Sequence, residues 1–328
     1  MRNASRRSIS RPAEMIPAHQ PVLYQEIIHA LRPKSGARYV DGTLGAGGHA
    51  AGLLAGSEPG GQLLGLDVDP QALGLARQKL ALFGERTWLK KASYTSLPGQ
   101  LAELGWDSVD GILLDLGASS MQFDTPERGF SFLADGPLDM RFDPSNPLTA
   151  AEIVNEWPEQ ELADLLFRYG EEPAARRIAR AIVAARPVGG TRQLAAVIER
   201  VQPRRSSPGS RTGRGPHHPA TQTFQALRIA VNGELESVEK ILPLAVQALG
   251  PGGRLAVISF HSLEDRLVKE YFRRESKDCI CPPRQPICTC GHKASIKEIT
   301  RRPITPTEAE INQNSRARSA KLRVAEKL

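Results

Sequence analysis

Cysteine is absent from this chain until Cys279, and all four cysteines then fall within twelve residues, as Cys279-x-Cys281 and Cys288-x-Cys290. A small secreted domain stapled by disulfides spreads its cysteines along the chain, so that class is excluded. Also missing is any apolar run long enough to span a bilayer. The first segment, Met1 to Pro17, carries arginine and serine but no apolar stretch of the kind a secretory signal needs. It reads as a disordered basic tail, and the expectation is a cytoplasmic protein with no membrane partner. The charge balance is not acidic: the net charge is +7 and the pI is near 9.4, which favours a polyanionic partner. What is present is ordinary globular composition, 40% hydrophobic over 328 residues. That is enough for one large domain with a substantial insertion, or for two domains.

The stretch Arg38-Tyr-Val-Asp-Gly-Thr-Leu-Gly-Ala-Gly-Gly-His49 combines a short apolar strand, a carboxylate at its end (Asp41) and a loop containing Gly42, Gly45, Gly47 and Gly48. Glycines let the backbone turn sharply and bring N–H groups against a ligand. The small apolar run from Ala50 to Ala55 suits a helix whose N-terminus points at that ligand. Strand, glycine turn and helix make a nucleotide-type cradle, and Gly45-Ala-Gly47-Gly-His-Ala50 also satisfies the loose dinucleotide pattern G-x-G-x-x-A.

Two further apolar runs end in acids. Gln62 to Asp67 is one, and Asp67 stands 22 positions after Gly45, where a βαβ unit ends its second strand and an acid accepts hydrogen bonds from ribose hydroxyls. Val109 to Asp115 is the other. Trp88 to Lys91 supplies a third strand between them, leading to Tyr94, which either lies against an adenine ring or packs in the core. Helices are predicted over Gln25–Leu31, from Asp69-Pro70 to about Leu82, and over Leu97–Leu104. Acids at three strand ends, on the edge where open α/β sheets bind ligands, are harder to explain by packing than any one of them.

From about Met121 the pattern changes. Gln122 to Pro147 is irregular, and helices follow over 151–155, 159–169, 173–185 and 191–201, the last with Thr191 as its expected N-cap. Pro203 to Pro216 is basic, low in complexity and expected to be mobile; its arginines suit phosphate contact or simply a solvated linker. The α/β rhythm resumes with one long helix or two over 221–249, a central strand through Phe260, and a helix from His261 to about Arg274. Segments 295–300 and 321–324 read as an antiparallel pair. The domain plan is therefore a tail over 1–17, an α/β domain over 18–122 and 217–328, and a mostly helical insertion over 123–216 that recognises substrate.

Five parallel strands with an added antiparallel pair is the pattern of class I S-adenosylmethionine-dependent methyltransferases, an α/β, Rossmann-like sheet. Asp41, immediately before the glycines, suits a cationic amino-acid moiety and would repel a pyrophosphate, which favours this cofactor over a nicotinamide. Methylation at a pyrimidine C5 needs a cysteine nucleophile near the fourth or fifth strand. None is there. An exocyclic amine needs only acceptors that orient its lone pair, a role Asp115 and nearby carbonyls suit. For the cysteines, a tetrahedral thiolate zinc site with His292 as an alternate ligand competes with reduced cysteines in a surface loop.

Several segments together resemble the bacterial RsmH (MraW) family. They include His19-Gln-Pro-Val-Leu23, Asp41 to His49, Asp110 to Ser120, Arg128 to Phe132, Gly136 to Arg141, Tyr169 to Glu172, His218 to Arg228, Ile258 to Arg266 and Asn314 to Ser319. The resemblance implies methylation of the N4 amine of a cytidine in the decoding region of 16S ribosomal RNA, within the small ribosomal subunit, using S-adenosylmethionine. It implies a cofactor site of Gly47, Gly48, His49, Asp67, Tyr94, Asp115 and Gln122, to which the residue reading adds Asp41. The Asp/Asn-Pro-Pro-Tyr sequence of many amine methyltransferases is replaced by Asp115-Leu-Gly-Ala, so that motif assigns no catalyst here. Asp115 is the first candidate for catalysis, followed by Ser119, Asp139 and His261; His261 serves equally well as a helix cap. Arg128, Arg141 and Arg228 either contact phosphate or pair with acids of the insertion. Two rival readings are an NAD-dependent oxidoreductase and a ribosome assembly factor whose methyl transfer is vestigial.

Overall fold

The apolar runs that end in aspartates form the middle of a single seven-stranded sheet in the computed structural model, which describes residues 21–202, 218–283, 285 and 287–328. The basic tail expected over 1–17 and the basic loop expected over 203–216 lie outside the described residues. Strands β1 (Arg38–Asp41), β2 (Gln62–Asp67), β3 (Thr87–Lys91), β4 (Val109–Asp115) and β5 (Leu249–Ser259) run parallel. β6 (Ile296–Glu298) and β7 (Lys321–Lys327) are antiparallel, and the order across the sheet is β3-β2-β1-β4-β5-β7-β6.

Helices cover both faces, which is why these strands are apolar almost throughout and do not alternate. In β4, Leu113 packs with Leu53, Leu63 and Ile258 on one face, while Ile112 and Leu114 meet Leu64, Leu242 and Val257 on the other. Each of these side chains is essentially inaccessible to water, worth about 1.5–3 kcal/mol of transfer free energy apiece. From β1 the chain builds β2 and β3 to one side, then crosses back to place β4 on the other. The loops after β1 and β4 therefore diverge, and a crevice opens at their carboxyl ends.

The insertion has its own core. Helices Ala150–Glu156, Glu159–Gly170, Ala175–Ala184 and Thr191–Val201 bury Ile153, Leu162, Leu166, Ile178, Ile182 and Leu194 against one another. The helix Ala220–Asn232, expected with the α/β domain, contributes Phe224 and Leu227 to this same core. It thus packs as part of the insertion's core. Gly233, left-handed at φ 57°, ends that helix and begins Glu234–Ala248, so the predicted long helix is two.

Thr191 is not a cap. Gly190 holds the extended N-cap position, and Thr191 Oγ1 instead donates to Ala134 O and accepts from Gly136 N–H, each at 3.1 Å. A hydroxyl able to reach a neighbouring loop was more useful there than one closing its own helix. The irregular stretch from 122 starts inside a short helix, Ser120–Asp124.

Candidate active site

At the switch point lies a cavity of about 820 Å³, to which the loops after β1, β2, β3, β4 and β5 all contribute. The glycine loop forms one wall. Gly47 sits at φ 77° as N-cap of the helix Gly48–Gly56, and a Cβ there would come within 3.3 Å of Leu80. A side chain at this position would be both strained and crowded. Gly47 itself does not line the cavity, whereas Gly45, Gly48 and His49 do.

Asp67, at the end of β2, holds the loop in place. Its Oδ2 accepts from Gly45 N–H at 2.7 Å and its Oδ1 from Asp69 N–H at 2.8 Å. Burial raises its pKa against those two hydrogen bonds. Each oxygen keeps a second lone pair, and the residue lines the cavity, the situation a ribose hydroxyl requires. Tyr94, beyond β3, lines the same wall; burial first, then the charges of Glu234 and Glu264, push its phenol well above the usual range.

Asp41 is placed differently from the sequence expectation. It is 1% exposed and lies beneath the loop, accepting from Thr43 N–H at 3.2 Å, and it is not part of the cavity wall. As the last residue of a central strand, its side chain is overlaid by the loop it precedes. Burial pushes its carboxyl up to about 7, with His49 opposing and Asp115 and Asp67 adding to the rise.

Asp115 does face the cavity. Its backbone N–H donates to Thr43 Oγ1 at 2.5 Å, which fixes the end of β4 against the glycine loop. Its Oδ2 is 3.6 Å from His49 Nε2, and its Oδ1 has no hydrogen-bond partner among the described residues. Both ring nitrogens of His49 are likewise buried without a hydrogen bond there, with the Tyr24 ring stacked at 6.1 Å. Buried polar atoms are normally satisfied, so these three, in two residues that line one cavity, mark a place built for a ligand. The chemistry fits S-adenosylmethionine: a carboxylate for a cation or amine, glycine-loop backbone at close range, an acid with spare lone pairs and an aromatic ring.

Ser119 and Gln122 close the β4 side as a reciprocal cap. Ser119 N–H donates to Gln122 Oε1 at 3.0 Å, and Gln122 N–H donates to Ser119 Oγ at 3.3 Å. Gln122 Nε2 donates to Asp69 Oδ2 at 3.0 Å, and Arg128 meets the same oxygen at 2.8 Å. Arg128 also donates to the carbonyls of Arg141 and Phe142, at 2.9 and 3.0 Å. It clamps the insertion's first turns to the β2 loop. Arg141 is tied to Asp139 at 2.6 Å, and Arg228 grips Glu234 through two bonds of 2.8 and 2.9 Å. All three arginines thus pair structurally, and Asp139, held by Arg141, lies outside the cavity.

His261 also lies outside the cavity wall. It caps the helix Ser262–Glu275, its Nδ1 accepting from Glu264 N–H at 3.4 Å while its Nε2 lies 3.1 Å from Glu264 Oε1. Sequence reasoning missed what this cap supports. Glu234 and Glu264, both buried, line the cavity with Arg228 between helices of different units. Burial raises the Glu234 carboxyl despite Arg228, and Glu264 adds to the rise; for Glu264 burial is outweighed by His261 and Arg228. The His261-x-x-Glu264 spacing was a readable capping signal. Glu234 had none, since only folding brings it there. At the other rim, Arg316 pairs with Asp124 and brings the Asn314–Ser319 segment to the cavity.

Residues 17–328 match a family model described as the MraW methylase family. A Ribosomal RNA small subunit methyltransferase H from Dehalococcoides mccartyi is 53% identical over 310 residues, 94% of this chain and 86% of that protein. The protein of the same name from Nitratidesulfovibrio vulgaris is 52% identical over 314 residues, again 94% and 86%. That from Lawsonia intracellularis is 50% identical, covering 94% of this chain and 99% of its own. Among solved structures, an rRNA methylase from Streptococcus thermophilus aligns at a TM-score of 0.40 and 14% identity over 98% of this chain and 99% of that one, a level that carries no argument.

Proposed function

Because the chain belongs to the MraW methylase family, we propose that it transfers a methyl group from S-adenosylmethionine to the N4 amine of a cytidine in the decoding region of 16S ribosomal RNA. The coarser part, ribosomal RNA methylation with S-adenosylmethionine, follows from family membership and from relatives at 50–53% identity named as small-subunit methyltransferases. Membership also displaces the dinucleotide reading of the glycine loop. No helix among the described residues is long and apolar enough to cross a membrane.

One observation carries the choice of an amine: a cavity-facing carboxylate, Asp115, with an unpartnered Oδ1 and no arginine or lysine bound to it among the described residues. Bound S-adenosylmethionine supplies an electrophilic methyl on a sulfonium. The chain's residues then have to hold and aim. Asp67 and the glycine loop would take the ribose and amino-acid parts, Tyr94 the adenine, and Gln122, held by Asp69, the floor beneath. The Asp115 carboxylate would accept an N–H of the cytosine amine, which localises the nitrogen lone pair and gives the departing proton an acceptor. His49 Nε2, 3.6 Å from Asp115 Oδ2, would stand beside the same carboxylate in the wall of the site. Ser119 completes the wall through its cap with Gln122. A cytidine would have to leave its stack to enter, which favours the exposed decoding region of an assembled subunit over a duplex. The insertion, clamped by Arg128 to the same loops, is positioned to select the RNA.

The test is methyl transfer to small subunits isolated from cells lacking the gene, followed by nuclease digestion and mass mapping. One added methyl on N4 of a decoding-region cytidine is expected. A methyl on carbon, on another base or on no base would refute the assignment, and the last outcome would favour an assembly factor.

A further inference from the structure

Four thiols gather at the far end of the helix Ser262–Glu275, whose first turn carries Glu264 into the cavity. Cys279 and Cys281 follow that helix, and Cys288 and Cys290 lie on the returning arm of the loop before β6. The sulfurs of Cys279 and Cys288 are 3.5 Å apart, Cys281 and Cys288 4.0 Å, Cys288 and Cys290 3.6 Å, and Cys290 and Cys279 3.8 Å. All four lie within 4.8 Å of one another. Thiolates at about 2.3 Å from a tetrahedral zinc ion stand about 3.8 Å apart along each edge. We propose that Cys279, Cys281, Cys288 and Cys290 form a structural zinc site.

Other fates for four cysteines fit less well. A disulfide brings two sulfurs to about 2.05 Å and leaves each with one partner, whereas Cys288 here is near-equidistant from three. A four-iron cluster binds each sulfur to a different iron and spreads them further. The backbone also supports charged sulfurs. Ile280 N–H donates to Cys290 Sγ and Thr289 N–H to Cys281 Sγ, each at 3.5 Å. The middle residue of each C-x-C arm therefore bonds a sulfur of the opposite arm, the kind of outer hydrogen bonding that orients thiolate ligands. Zinc with four thiolates carries a net charge of −2, and Arg273, Arg274, Lys277 and Lys293 stand around it in sequence. His292 is not a ligand: its Nε2 lies 3.2 Å from Arg274 O and ties the loop to the helix end.

Among the described residues the loop is held by a few hydrogen bonds, such as Ala294 N–H to Asp278 Oδ1 at 3.3 Å, and by no apolar core. Its apolar residues Ile280 and Ile287 are 45% and 74% exposed, so no core lies beneath it. A loop of this length without a core of its own needs a cross-link, which a metal supplies. The one other metal-like grouping among the described residues, Glu234, His261 and Glu264, already has its cation in Arg228. With four protein ligands the thiolate site is closed, and the helix of 14 residues sets it roughly 20 Å from the cavity, so its role is structural.

Elemental analysis of the untagged full-length protein after gel filtration tests this directly. One zinc per chain is expected, falling below about a tenth in Cys288→Ser. Exchange into cobalt should give thiolate-to-cobalt charge-transfer bands and the intense visible bands of a tetrahedral site. Zinc removal should open the 276–295 loop to protease while S-adenosylmethionine affinity stays within about threefold. Metal-free protein with four titratable thiols, two disulfides, or iron or copper in place of zinc would overturn the proposal. The wild-type measurement suffices even where a variant fails to fold.

Discussion

Replacing Asp115 with asparagine keeps the side-chain volume and leaves the backbone bond from Asp115 N–H to Thr43 Oγ1 untouched, so β4 should stay where it is. What disappears is the negative charge of a carboxylate whose Oδ1 has no partner among the described residues and whose Oδ2 lies 3.6 Å from His49 Nε2. A hydrogen bond to a charged acceptor is worth about 1.5–3 kcal/mol, against about 1 for a neutral one. Loss of a positioned proton acceptor costs about 10²–10⁴ in rate. Together these place the loss in the methyl-transfer rate of Asp115→Asn near 10³-fold, about 4 kcal/mol of transition-state stabilisation. Cofactor binding should weaken by less than about tenfold, since a neutral amide still accepts a hydrogen bond. Single-turnover transfer to small subunits from a deletion strain, with calorimetric titration of S-adenosylmethionine, separates the two quantities. A variant that transfers within fivefold of the wild-type rate would remove Asp115 from the chemistry. One that loses cofactor binding and rate in equal measure would make it a cofactor ligand only.

Three other outcomes follow from the same geometry. Asp41 has a folded pKa of about 7, above its ordinary value, so the folded state binds the proton more tightly than the unfolded chain. Stability from this group is therefore present at low pH and is lost as pH rises from about 4 to 7. Asp41→Asn, which retains an acceptor for Thr43 N–H, should flatten that slope and gain about 2–4 kcal/mol at pH 8 in urea unfolding; an unchanged pH slope would refute the assignment. Tyr94→Phe should bind S-adenosylmethionine within about threefold of wild type, and Tyr94→Ala about 10–100-fold more weakly, by calorimetry. Equal losses in the two variants would mean the hydroxyl matters and the ring does not. Arg228→Met leaves Glu234 and Glu264 buried without their cation and should cost about 3–5 kcal/mol in denaturant unfolding, with Glu234→Gln recovering part of it. No recovery would show that the arginine acts through packing.

The strands were legible because a buried parallel strand is a continuous apolar run, and three of the five parallel strands stop at an acid. Gln62–Asp67, Val109–Asp115 and Leu97–Leu104 were predicted with the bounds they have. Thr191 misled because a hydroxyl before a helical run looks the same whether it caps its own helix or reaches Gly136 across the chain. The pairing of the three arginines was one of two readings, since an arginine's partner is set by what folding brings near. The cavity divided the candidates: Asp67, Tyr94, Asp115, Ser119 and Gln122 line it, whereas Asp41, Gly47, Asp139 and His261 stand behind it.

Local pattern alone was enough to determine the sheet, the glycine loop, the acids at three strand ends and the clustering of four cysteines, because each depends on residues close in sequence. Only the tertiary structure decided that Asp41 is covered while Asp115 is open, although both end a central strand beside the same loop. The difference lies in the crossover: the loop after β1 folds back over Asp41, and the chain after β4 turns away from Asp115 at the switch point. It also decided that Arg228, Glu234 and Glu264 meet in one buried group. Their charges lie on three separate helices, and no pattern along the chain records the desolvation that makes them depend on one another.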